Sequence, residues 1–241
     1  NGRAHMDVFD LRRRTLNGRY EMTADATTEV TASAQLLGGI SLLIGDSKGG
    51  IAQWFMARDP DDEQRLKFIR GFQLGDAAIT QIAAEERRKG FVALNAAGEL
   101  GVFHSTAHRT LLTENVSDSG TAMFALSPRA NRILLEDGQR LLPFSLENEH
   151  PEISWSSLWS KVWYESYSEP KHIWQSTAAT VDFEPKMSLA PLTFGTLKAA
   201  FYAMLLAAPL AIAAAIYTAY FMAPGMRRKV KPVIELMEAL P

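Results

Sequence analysis

A lysine framed by glycines, Gly45-Asp46-Ser47-Lys48-Gly49-Gly50, has the residue types of a phosphate cradle. A Walker-type loop needs G-x-x-x-x-G-K-S/T between a strand and a helix, and here both the order and the helix are absent. Alternating apolar residues on either side assign these glycines to a hairpin turn. His104 and His108, four apart, suit zinc only on a helix, and they bracket a strand and a turn with no H-E-x-x-H glutamate. His150 and His172 stand alone and read as ordinary polar or partly buried side chains. The charge runs at 59–63, acidic, and 85–89, of mixed sign, read as solvated loops, and no carboxylate pair is set apart as acid and base. No serine lies in a G-x-S-x-G elbow, and the absence of Cys excludes thiolate nucleophiles and Cys-based metal sites. The sequence therefore offers no catalytic, cofactor or metal constellation, and no enzyme is expected.

The strongest signal is physical. Residues 199–225 are uncharged, and Arg227, Arg228, Lys229 and Lys231 follow at once. As a helix this stretch is about 40 Å long at about 1.5 Å per residue, enough for a hydrocarbon core of about 30 Å. It lacks the polar stripe of a soluble helix. The four cations sit where the positive-inside tendency places the cytoplasm, so residues before about 190 are expected on the exterior or periplasmic side. Pro209 and the alanines around it suit close packing against other helices, which a simple tether does not need. Residues 230–241 (VKPVIELMEALP) read as an amphipathic segment at the cytoplasmic interface.

Composition fits a chain in two parts. Of 241 residues, 47% are hydrophobic and 22% charged, enough for one sizeable domain plus a membrane element. A net charge of −2 gives no electrostatic case for nucleic acid. Residues 1–6 (NGRAHM) have the look of a cloning junction and are set aside from fold reasoning, and the chain has the look of a fragment.

One unit recurs between residues 20 and 146. Short alternating strands at 29–35, 77–84 and 121–127 are each followed by a strand, a Gly-containing turn and another strand, at 39–56, 90–104 and 132–145. Residues 65–73 and 108–114 would supply an outer fourth strand. The turn glycines Gly49, Gly98 and Gly138 recur about every 40–50 residues, a period of β-propeller blades. A plain antiparallel sandwich explains the hairpins but not the repeated strand order. The expected fold is mainly β, a partial β-propeller over residues 7–150 followed by a transmembrane α-helix. Only about three blades fit, whereas closed propellers usually need about four to eight.

From Pro151 the texture changes. Trp155, Leu158, Trp159, Val162 and Trp163 share one face at helical spacing, and Trp174 follows. These aromatics suit either a helix lying in the headgroup zone, within a membrane-proximal connector over 151–191, or packing against the β core. The connector gives way to the membrane element of 192–241.

Over residues 191–241, Phe194-Gly195-Thr196-Leu197, Ala208-Pro209-Leu210, Ala214 to Tyr217, Lys231-Pro232, Ile234-Glu235-Leu236-Met237 and Ala239-Leu240-Pro241 resemble phosphate ABC transporter permeases of the PstC type. The pieces WYESYSEPKHIWQS and DFEPKMSLAPLTFGTLK resemble the long variant with a periplasmic WD40-like insertion. The resemblance implies a bacterial inner-membrane permease that pairs with a second permease subunit and ATPase subunits. Phosphate would come from a periplasmic phosphate-binding protein, ATP hydrolysis would lie on a separate subunit, and the exterior domain would be an interaction or sensing platform. The residues that would line a phosphate path are not among those that match. A different class also fits, a single-pass membrane-anchored propeller scaffold or signalling module.

Overall fold

The computed structural model describes residues 4–23, 25–118, 122–178 and 183–239. Residues 1–3, Thr121, Asp182, Leu240 and Pro241, used in reading the sequence, lie outside them. The chain divides into two units, Asn1–Pro191 and Leu192–Pro241.

The first unit is built of antiparallel meanders. Strands β1 (His5–Asp10) and β2 (Thr15–Glu21) form a hairpin, followed by β3 (Val30–Gln35), β4 (Ser41–Asp46), β5 (Gly50–Arg58) and β6 (Gln64–Gln73) in one four-stranded sheet. A second four-stranded sheet takes β7 (Ile79–Ala84), β8 (Gly90–Asn95), β9 (Glu99–His104) and β10 (Arg109–Asn115) in the same order. A three-stranded sheet follows, of β11 (Met123–Leu126), β12 (Arg132–Asp137) and β13 (Arg140–Ser145). The first strands adjoin in sequence, β3 against β7 and β7 against β11. Repeated meanders whose leading strands sit side by side are propeller blades, and the unit is mainly β with this partial propeller organisation.

Three layers of apolar side chains hold the sheets face to face. Leu43, Ile51, Phe72, Ile79, Phe91 and Phe103 join the first and second four-stranded sheets. Val92, Leu94, Leu100 and Val102 meet Phe124, Ile133 and Leu135 of the third sheet. The alternation along each strand produces this, because side chains two apart share a face. Strand β8, sandwiched between two sheets, is buried at every position. A third layer sets Met6, Val8 and Tyr20 of the first hairpin on Ile44 and Leu66. His5 and Met6, set aside on sequence grounds, thus pair with Glu21 and Tyr20 and belong to the fold.

The repeated turns have one cause. Asp46 Oδ1 accepts from the N–H groups of Lys48 and Gly50 at 2.8 and 2.9 Å. Asn95 Oδ1 accepts from those of Ala97 and Glu99 at 3.1 and 2.9 Å. Each loop then turns at a glycine with positive φ, Gly49 at 79° and Gly98 at 81°.

The second unit comprises α2, α3 and a π-helical turn between them. Helix α2 (Ala190–Ile216) runs into that turn at Tyr217–Phe221, and α3 (Pro224–Ala239) follows. A short helix α1 (Trp155–Trp159) and a two-stranded pair, β14 (Trp174–Gln175) with β15 (Lys186–Met187), precede them within the first unit.

Candidate membrane-proximal site

The segment from 151 to 189 is fastened to the propeller end by a buried polar network. Glu165 Oε2 accepts from Lys89 Nζ at 2.6 Å, with the two side chains 7% and 2% exposed. Glu165 Oε1 accepts from Ser41 Oγ at 2.6 Å, Ser41 Oγ accepts from Gln53 Nε2 at 2.8 Å, and Gln53 Oε1 accepts from Ser105 Oγ at 2.7 Å. Arg70 donates to the carbonyls of Ser105 and Trp163. Glu184 accepts from the Thr106 hydroxyl and, at 3.0 Å, from the Glu165 N–H. Charges out of water need this density of partners, since an unpaired one costs several kcal/mol, roughly. The sequence reading missed every member. Their separations, such as 124 residues from Ser41 to Glu165, leave no local pattern.

Burial sets the electrostatics. It raises the Glu184 carboxyl above the usual range, with Thr106 opposing, and depresses Arg70. The Tyr164 phenol, almost wholly buried, is pushed up to about 12 by burial and then by Glu184. Lys186, depressed by desolvation, lies 4.9 Å from the Phe183 ring centroid and 5.7 Å from that of Tyr164.

The four tryptophans of this segment divide. Helix α1 is only one turn, capped by Ser154, whose hydroxyl accepts from Ser157 N–H while Ser157 Oγ accepts from Ser154 N–H. It stops at Trp159, where Ser160 is extended, so the expected helical face through Trp163 is not formed. The reason is tertiary. Val162 bridges Lys171, and Trp163 packs edge-to-face on Phe55 at 6.1 Å, donating through Nε1 to Tyr167 O. Trp163 is therefore half-buried against the β unit. Trp155, Trp159 and Trp174 are 81%, 45% and 42% exposed, and Trp174 lies in the strand pair immediately before α2.

Helix α2 and its π-helical continuation give a 32-residue helical stretch, Ala190–Phe221, whose apolar part has a mean hydropathy of 2.1 and no burial. Pro209 lies inside it. Of the four cations beyond, Arg227 turns back and donates to Ala219 O and Met222 O, meeting carbonyls that the helix end leaves unpaired. Lys231 pairs with Glu235 at 3.7 Å, while Arg228 and Lys229 are exposed. The four thus sit within α3, with Arg227 and Lys231 lining a cleft against Ala211, Ala215 and Ala219.

The motifs with possible chemistry are structural. Lys48 of the glycine-framed turn pairs with Asp25 at 2.9 Å, which helps hold that carboxyl far below the usual range. His104 ends β9 and is buried, its Nδ1 accepting from Ala107 N–H at 3.2 Å. Burial, followed by Arg88, Arg70 and Arg109, lowers it to about 3. His108 instead sits in the following turn, its ring Nε2 2.9 Å from Gly71 O. Among the described residues no group of His, Asp and Glu gathers as a metal site.

No family model matches the chain, and no curated protein matches it. Solved structures do. Sqt1 from Chaetomium thermophilum aligns at 16% identity and TM-score 0.45, over 55% of this chain and 34% of that one. The Cps50 (Swd1) β-propeller domain of Myceliophteria thermophila aligns at 13% identity and TM-score 0.47, over 61% and 46%. A chain of the mitotic checkpoint complex aligns at 12% identity and TM-score 0.45, over 60% and 41%. The chain spans about a third to under half of these proteins. The fold class rests on the sheets themselves.

Proposed function

We propose that this chain is a membrane-anchored propeller-type interaction scaffold, its β unit outside the membrane and its apolar helix within it. One observation carries the reading: a packed β unit runs directly into a 32-residue helical stretch whose apolar part is nowhere buried. Helix burial inside protein would require partners for that surface, whereas lipid requires none. Propeller sheets present loops at both ends and are general platforms for protein partners, a warrant from architecture alone. The chain performs no chemistry of its own in this account.

A finer reading has support in the helix. Pro209 and the run of small residues beside it favour packing against neighbouring helices, as in a polytopic protein. With the PstC-type resemblance, this points to the membrane permease of a phosphate importer in a bacterial inner membrane, partnered by a second permease subunit, ATPase subunits and a periplasmic phosphate-binding protein. Affinity purification from bacterial membranes, followed by crosslinking to those named subunits, tests it. Their recovery supports the permease. An alkali-resistant membrane protein that crosslinks to none of them leaves the anchored scaffold, and release from membranes by alkaline carbonate overturns both.

A further inference from the structure

Between the 151–189 segment and the end of the first four-stranded sheet lies a cavity of about 500 Å³, within the size range of small-molecule sites. Its lining is unbalanced in charge. Arg70 and Lys161 contribute cations, and none of the lining residues is a carboxylate. Arg70 is only 8% exposed and forms no carboxylate ion pair among the described residues; its nearest influences of that kind, Glu184 and Glu165, belong to the buried polar network that clamps the 151–189 segment. Of the five N–H donors of its guanidinium, two find acceptors among the described residues, both backbone carbonyls. Lys161 is exposed at the rim and has no ion-pair partner among the described residues. A third cation, Lys67, stands 5.9 Å from the Trp163 ring centroid.

The remaining walls combine an apolar part, from Phe68, Ile69, Val162, Trp163 and Pro170, with uncharged hydroxyls of Thr106, Ser156 and Ser160 and the His108 ring. A larger groove of about 850 Å³ near Arg87, Arg88 and Arg129 lacks this character, because Glu147 and Glu149 line it too. We infer that the 500 Å³ cavity binds an organic anion, with an oxyanion head on Arg70 and Lys161 and an apolar body against Trp163 and Phe68. A bare oxyanion would leave most of this volume unfilled, while a neutral body would offer no charged acceptor to the arginine donors beyond the two on backbone carbonyls. The head could belong to a free small molecule or to the carboxyl end of a peptide chain, and the chemistry is shared.

The test uses the full chain in neutral detergent, with saturation-transfer NMR and calorimetry. Benzoate and phenyl phosphate are expected to bind in the millimolar range, and benzamide, the neutral counterpart, at least tenfold more weakly. Lys161→Glu, at an exposed side chain whose loss spares the clamp, should weaken benzoate at least fivefold, while Arg129→Glu should leave it unchanged. A short peptide ending in phenylalanine, tested as free acid and as amide, separates the sources. Tighter binding of the free acid than of benzoate assigns a peptide end, and the reverse assigns a small molecule. Equal binding of benzoate and benzamide, an unaffected Lys161→Glu variant, or inorganic phosphate competing as well as phenyl phosphate would each overturn the proposal.

Discussion

The Lys89–Glu165 pair shows what single residues do here. Both charges are out of water, so removing one leaves the other without compensation. Lys89→Met is expected to cost about 3–5 kcal/mol in urea unfolding, and pairing it with Glu165→Met should restore much of that loss. An undiminished single variant would mean the pair is solvated. His104 gives a pH dependence of definite sign. Its folded value of about 3 lies below the usual 6.5, so the unfolded chain takes up a proton that the folded chain refuses. Stability from this residue is complete above about pH 6.5 and falls as pH drops toward 3, by about 2–3 kcal/mol at pH 4.5. His104→Asn, which keeps an acceptor for Ala107 N–H, should flatten that limb of a melting-temperature profile. Neither residue was legible as special beforehand. The alternation around His104 marked it as a strand end, but its burial depends on sheets packed over it, and Lys89 read as one cation of a solvated run until Glu165, 76 residues away, closed on it.

At the level of elements, legibility followed the range of the forces. The hairpins at 46–50 and 95–99 could be read because Asp46 and Asn95 organise their own turns within four residues. The first hairpin was missed through the exclusion of His5 and Met6, although Met6, Val8, Tyr20 and Met22 alternate as a strand pair does. Helix α1 was overextended because aromatic periodicity continues past Ser160, whereas the bridge of Val162 to Lys171 decides the backbone there. The tryptophans turn this distinction into a measurement. With the chain in vesicles of brominated lipid, variants that retain Trp155, Trp159 or Trp174 as the single tryptophan should be quenched, and one that retains Trp163 should not. Quenching confined to Trp163 would remove the interfacial role of the exposed three.

For the whole molecule, orientation is the remaining question, and the sequence bears on it only through charge placement. Arg227, Arg228, Lys229 and Lys231 cluster beyond one end of α2, while the other end leads back to the β unit. A lysine or arginine beside a helix end resists translocation, so the end carrying four of them should stay on the cytoplasmic side. Arg227 is tied to Ala219 O, yet Arg228 and Lys229 remain exposed, so the argument does not depend on one side chain. The absence of cysteine allows a clean assay, since any introduced thiol is the single reactive one. Glu86→Cys, in an exposed turn of the β unit, should react with a membrane-impermeant maleimide in intact spheroplasts, and Lys229→Cys only after permeabilisation. Neutralising Arg227, Arg228 and Lys231 in the Glu86→Cys background should leave a protected fraction, as some chains insert the other way round. Protection of Glu86→Cys in the unaltered charge background would place the propeller sheets in the cytoplasm, and with them the clamp and its cavity.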